Sequence, residues 1–142
     1  MKTIIKVFIF LVFLVFLDCA YAEVIIICNK DVPANSLTFS EISKIFHCEK
    51  LFWNNGKPAI VVIQKDKDIH KDFTKIYLKK TSFQYMNYFK KLIFTGKGQP
   101  PRSFAKEDEL IDFVAKTSGC IGYISSESYE ENENIKIIDV TK

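Results

Sequence analysis

An α/β sandwich built on a mostly parallel sheet is the fold class this sequence predicts, and three observations predict it. Four short apolar runs rich in β-branched residues, EVIIIC (23–28), AIVVI (59–63), CIGYI (120–124) and IKIIDV (135–140), have the length and composition of buried strands. Segments with apolar residues three and four apart separate them. Strands that alternate with helical patterns imply crossover connections and a sheet covered on both faces.

The elements follow in order. Glu23 to Cys28 is the first strand, and Asn29 to Ser36, with Pro33, is a loop. Thr38-Phe39-Ser40-Glu41 has the spacing of a capping box, in which Thr38 accepts from a backbone N–H and Glu41 reaches back. Ile42, Ile45 and Phe46 follow on one helical face, and this helix is expected to end near His47-Cys48. Trp53-Asn54-Asn55-Gly56 is a turn signal, and Ala59 to Ile63 the second strand. After the polar break Gln64 to Asp68, the residues Ile69, Phe73, Ile76 and Tyr77 mark a second helix. Thr81 or Ser82 can cap a third, on which Tyr85, Phe89, Leu92 and Ile93 share a face. Glu107-Asp108-Glu109 puts acid in the first turn of a fourth, whose core face is Leu110, Phe113 and Val114 and which Gly119 can stop. Two further strands close the chain, with Ser125 to Asn134 between them polar and expected to be exposed.

The first 22 residues stand apart. Lys2 and Lys6 precede an unbroken apolar run, Val7 to Leu17, and Ala20-Tyr21-Ala22 supplies small residues where signal peptidase reads them. The run is shorter than the about 20 residues a bilayer span needs. A cleavable secretory signal over 1–22 is therefore expected, with one domain over 23–142 and no membrane span after cleavage. Asp18 before Cys19 argues against a lipid anchor, because a small residue is wanted there. Removing Lys2, Lys6 and Asp18 leaves 18 basic and 16 acidic residues, too even a balance to be an electrostatic footprint for nucleic acid.

Cys28, Cys48 and Cys120 remain after cleavage. Their spacings match no zinc pattern, and Cys28 and Cys120 lie in apolar runs where a thiol packs as a small hydrophobe. Buried free thiols are expected, although an exported chain could form one disulfide and the sequence does not say which. His47 and His70 are the only histidines, too few and too far apart for a metal site, and are expected at the surface near helix ends. No nucleophile elbow, HExxH or placeable Ser/His/Asp set is present, so neither an enzyme nor a cofactor is expected.

Two stretches invite a ligand. Phe94 to Arg102 (FTGKGQPPR) has the glycines and lysine of a phosphate loop but follows a helix instead of opening one, and its prolines remove backbone donors. It is expected to turn the chain. Gln64, Lys65, Lys67, Asp68, Ile69 and His70 lie where a parallel strand ends and a helix begins, the usual ligand position in open α/β sheets. There the N–H groups near Asp68 to Lys71 would be donors and Lys65 and Lys67 would add charge, against Asp66 and Asp68. Asp68 could also simply cap the helix. Tyr123, Tyr85, Phe89 and Trp53 are expected in the core, with Trp53, just before a turn, partly exposed.

LTFSEISKIF (37–46) with Trp53 and Gly56, IFTGKGQPPR (93–102) and SGCIGYI (118–124) together resemble, in the same order, stretches of phosphate ABC-transporter substrate-binding proteins and their small single-domain relatives. The resemblance implies one lobe of a type II periplasmic-binding-protein-like fold, a three-layer sandwich, and a periplasmic location. It also implies an exported solute-binding module with phosphate or another small anion as ligand. The full-size family closes two lobes on phosphate and feeds it from an Arg-Ser-Asp-Gly-Ser-Gly-Thr segment after the strand that matches Ala59–Ile63. This chain corresponds to one lobe and has Gln64 to His70 at that place, without the arginine, the glycines or the hydroxyls. Two readings stay open: weak anion binding completed by a homodimer or an envelope protein, or an envelope protein-interaction module around Gln64–His70 and Trp53 that has lost phosphate binding.

Overall fold

The computed structural model describes residues 1–4, 6, 23–65 and 67–142. The run Val7–Leu17, the cleavage point after Ala22 and Asp66 lie outside the described residues, as does the side chain of Lys67. Six strands, β1 (Val24–Asn29), β2 (Ser36–Thr38), β3 (Ile60–Gln64), β4 (Arg102–Phe104), β5 (Cys120–Ser125) and β6 (Ile135–Thr141), form one sheet in the order β2-β6-β1-β5-β3-β4. β3 runs parallel to β4 and β5, and β2 parallel to β6, while β1 is antiparallel to both its neighbours, β5 and β6. The sheet is thus mostly parallel, with β1 the reversed strand at its centre.

Side chains alternate across each strand, so the sheet has two buried faces. Ile26, Cys28, Val61, Ile121, Tyr123 and Ile138 face one layer, made of α1 (Phe39–Phe46), α2 (Lys67–Phe73) and α3 (Ser82–Phe94). Ile27, Val62, Cys120, Ile124 and Ile135 face α4 (Glu107–Lys116) through Leu110 and Val114. The three-layer sandwich predicted from the strand and helix pattern is the architecture present.

Local signals explain the helices. Thr38 accepts from the Glu41 N–H at 3.2 Å while Glu41 accepts from the Thr38 N–H at 2.8 Å, and Thr81 and Gln84 repeat the arrangement at the start of α3. Each pair satisfies two N–H groups that a helix start leaves without an internal partner. α2 passes into a wider π-turn, Thr74–Leu78, which ends on Lys79 in the left-handed region. The Phe94–Arg102 loop behaves as the prediction had it: Gly96, at φ +68°, stops α3, and the N–H groups of Gly96 and Lys97 return to Ile93 and Leu92.

Several expectations need correction. Ser36 and Arg102, each placed at the end of a loop, instead begin two strands that were not foreseen, β2 and β4; three residues show no readable alternation, and their partners lie far away in sequence. Trp53 is buried, not partly exposed: its indole Nε1–H donates to Gly119 O at 2.9 Å. Gly119 holds φ +72°, and a β-carbon there would meet Pro58 O at 2.3 Å, so the corner requires glycine. His47 is buried as well, beneath Tyr85 and Tyr88. Ser125, at the head of the polar tract, is also buried. The three described cysteines are free, Cys28 and Cys120 fully buried and Cys48 half-buried, as expected of packing thiols.

Candidate functional site

The carboxyl ends of β3 and β5 lie side by side because the two strands are parallel neighbours. Tyr123, on β5, is sandwiched in the core, its ring stacked on Phe73 of α2 at 3.8 Å between centroids and 6° between planes. That contact fixes the position of the phenol oxygen. Tyr123 Oη accepts the backbone N–H of Gln64 at 3.1 Å and lies 2.5 Å from His70 Nδ1. With its own proton free to go to Nδ1, the arrangement that satisfies both groups is a neutral His70 carrying its proton on Nε2. Burial pulls the His70 pKa below the ordinary histidine value, consistent with that neutral state.

Gln64, the last residue of β3, is only 2% exposed, and its side-chain amide nitrogen is doubly engaged. Its Nε2 donates to Tyr123 O at 2.9 Å and to Glu107 Oε1 at 2.8 Å. The same carboxylate oxygen of Glu107 accepts the Ser125 N–H at 2.8 Å. Glu107 begins α4, so a carboxylate ties the start of a helix to the ends of two strands. The place directly over these strand ends is therefore held by a negative group.

The predicted site residues separate accordingly. Gln64 and His70 meet through Tyr123. Lys65 is exposed, and its N–H is taken by Phe104 O at 2.8 Å, continuing the β3–β4 ladder. Lys67 begins α2, Asp68 is exposed within its first turn, and Ile69 packs against the core. Lys65 and His70 stand on the border of a groove of about 730 Å³ between α3 and the Pro100–Ser103 segment. Gln64 and Ile63 lie in its floor with Tyr85 and Phe89, and Phe83, Met86 and Ile93 form its long wall. Where Lys71, Ser82 and Phe83 are shared, it continues into a second hollow of about 660 Å³ bordered by Lys71, Lys75, Lys79 and Lys80. Among the described residues, no group of three or more His, Cys, Asp or Glu side chains is placed to hold a metal ion.

Sequence reasoning treated Tyr123 as core and Glu107 as a helix-dipole acid, and so missed their part in this site. The bonds that recruit them span 43 and 59 residues, and no local pattern encodes such pairings. The glutamate's position at the head of α4 was the available signal.

The class this geometry defines is a single α/β lobe with the fold of phosphate substrate-binding proteins, as the ordered resemblance implied. PstS from Borrelia burgdorferi shares the fold with a TM-score of 0.64 and 18% identity, over 85% of this chain and 48% of that one. A protein from Clostridium perfringens solved with bound phosphate matches at 0.66 and 18%, over 85% and 46%. Phosphate-binding protein from Stenotrophomonas maltophilia matches at 0.63 and 15%, over 84% and 39%. By sequence, SphX of Synechococcus elongatus is 28% identical over 123 residues, 82% of this chain and 34% of SphX. The chain thus spans less than half the length of each relative. No protein-family model matches it.

Proposed function

We propose that this chain is an exported solute-binding module of the phosphate-binding type, not an enzyme, whose hold on an anion depends on a second surface. The observation that carries the reading is an open groove lined by one lobe alone. Gln64, Lys65 and His70 border it from a single lobe, and the solved relatives are about twice as long. Small-ligand sites enclose roughly 70–90% of their ligand. A groove left open on a single lobe keeps an inorganic anion largely hydrated, so a lone chain binds it weakly and a dimer or envelope partner supplies the rest. Lys65 and Lys67 are the cations proposed to meet the anion, together with the start of α2 at Asp68, Ile69 and His70. Cleavage after Ala22 would release the domain into the periplasm, and the mass of the exported protein tests that step.

The test is calorimetric titration of the exported protein with phosphate and with sulfate, beside its molar mass by light scattering. Weak binding by monomer, strengthened in any dimeric fraction, is the expected result. Tight one-to-one binding by monomer would defeat the half-site argument.

One observation favours a second reading, a protein-interaction module that has lost phosphate binding. The Glu107 carboxylate at the ends of β3 and β5 repels an anion at the position where open α/β sheets take ligands. In that reading Trp53, being buried, is not a contact residue, and the surface centres on Lys65 and His70 alone.

A further inference from the structure

The groove is unlike an inorganic phosphate seat along most of its length. Phe83, Met86 and Ile93 are 65%, 46% and 51% exposed and, with Lys90, repeat every three or four residues along one face of α3. Between Phe83 and Ile93 that face is roughly 15 Å long, at about 1.5 Å per residue. Pro100 faces it from the other side. Tyr85 and Phe89, both buried, close the floor. A contiguous apolar surface of this kind marks a ligand or partner site more often than an idle surface.

Charge is confined to the rim. Lys65, Lys71 and Lys90 border the groove, and no carboxylate does among the described residues. Residues 71 to 102, which build this side of the molecule, contain eight lysines and arginines and one acid, Asp72. The Glu107 carboxylate lies at the strand ends, where Gln64 Nε2 holds it.

We infer that the groove takes an amphipathic anion, a carboxylate or phosphate ester with an alkyl tail. The headgroup lies by Lys65 and Lys71, beside His70, and the tail lies along Phe83, Met86 and Ile93. The inference names the solute class for the proposed site, so it rests on the solute-binding reading. A hydrated inorganic anion leaves the long wall wet, whereas each methylene of a tail withdrawn from water strengthens binding roughly fourfold. The volume lies inside the range of drug-sized ligand pockets, about 300–1,000 Å³.

Dodecanoate, kept below its micelle concentration, is the probe for calorimetry on the exported protein. Hexanoate, dodecyl maltoside and inorganic phosphate are the comparisons. One-to-one dodecanoate binding is expected, at least tenfold tighter than hexanoate or dodecyl maltoside. Met86→Glu should weaken dodecanoate at least tenfold; Met86 is half exposed, so circular dichroism should report an unchanged fold. Lys71→Glu should weaken dodecanoate while leaving dodecyl maltoside unchanged. Equal affinity for dodecanoate and dodecyl maltoside, or an unaltered Met86→Glu variant, overturns the inference. So does binding to phosphatidylglycerol vesicles without binding of monomeric dodecanoate, since that result assigns the face to a membrane surface. If phosphate binds and dodecanoate does not, the inference fails while the solute-binding reading stands; if neither binds, both fail.

Discussion

His47 and His70 show how burial changes what a residue can do. His47 Nδ1–H donates to Ser43 O at 2.7 Å, and Lys80 Nζ lies 3.0 Å from its Nε2, an arrangement that needs a neutral ring. Burial lowers the His47 pKa first and the Lys80 charge lowers it further, against the opposing Ser43 hydrogen bond; burial alone lowers that of His70. Below about pH 6.5 the unfolded chain takes up protons at both positions before the folded chain does. Protons then favour the unfolded state, so stability is full above the ordinary histidine pKa and declines as pH falls toward the depressed folded values. Urea unfolding between about pH 7.5 and 5 should therefore show a falling midpoint, and His47→Gln should flatten the slope. Equal slopes for the two proteins would refute the assignment. The sequence placed both histidines at the surface near helix ends; His47 does cap the end of α1 but is buried there, and His70 lies half-buried within α2. It could not place the Tyr123 phenol against one or the Lys80 ammonium against the other, because those contacts depend on how the helices dock.

At the scale of elements, the signals that were legible were local ones. Thr38 and Glu41 stand three apart ahead of an apolar face, and the structure closes both hydrogen bonds between them. α1 then lays Ile42, Ile45 and Phe46 into the core, with Phe46 tilted against Phe73 at 4.6 Å. Thr38→Ala removes the cap and should cost about 1 kcal/mol. Thr38→Ser, which keeps the oxygen, should recover most of it in urea unfolding. A Thr38→Ala variant with wild-type stability would show that packing alone holds α1. β2 and β4 were illegible for the opposite reason. Their pairing to Asp139–Thr141 and Val62–Gln64 is decided by the docked sheet, and three residues carry no period of their own. The π-turn Thr74–Leu78 likewise hides in the sequence, since Ile76 and Tyr77 keep helical spacing while the turn widens around them.

On the scale of the whole molecule, the order β2-β6-β1-β5-β3-β4 puts the two strands with the fullest burial, β1 and β5, in the middle. Their apolar runs made the core readable from sequence, and the ordered motifs made the lobe readable. The long wall of the groove was not, because a helix face that exposes Phe83, Met86 and Ile93 looks in sequence like one more core face. Cys28 and Cys120 sit in that central pair, on opposite faces of the sheet. Burial pushes each thiol up to about 12. Neither reacts as a thiolate while the sheet is closed. A disulfide reagent should thus modify half-buried Cys48 first and reach the other two only through openings that separate β1 from β5. Such openings should require nearly the full unfolding free energy, since β1 and β5 are paired on both sides. The labelling rate of the slow pair should then rise with urea along the slope of global unfolding. Fast, urea-independent labelling of Cys28 or Cys120 would mean that the centre of the sheet opens locally, against the packing described here.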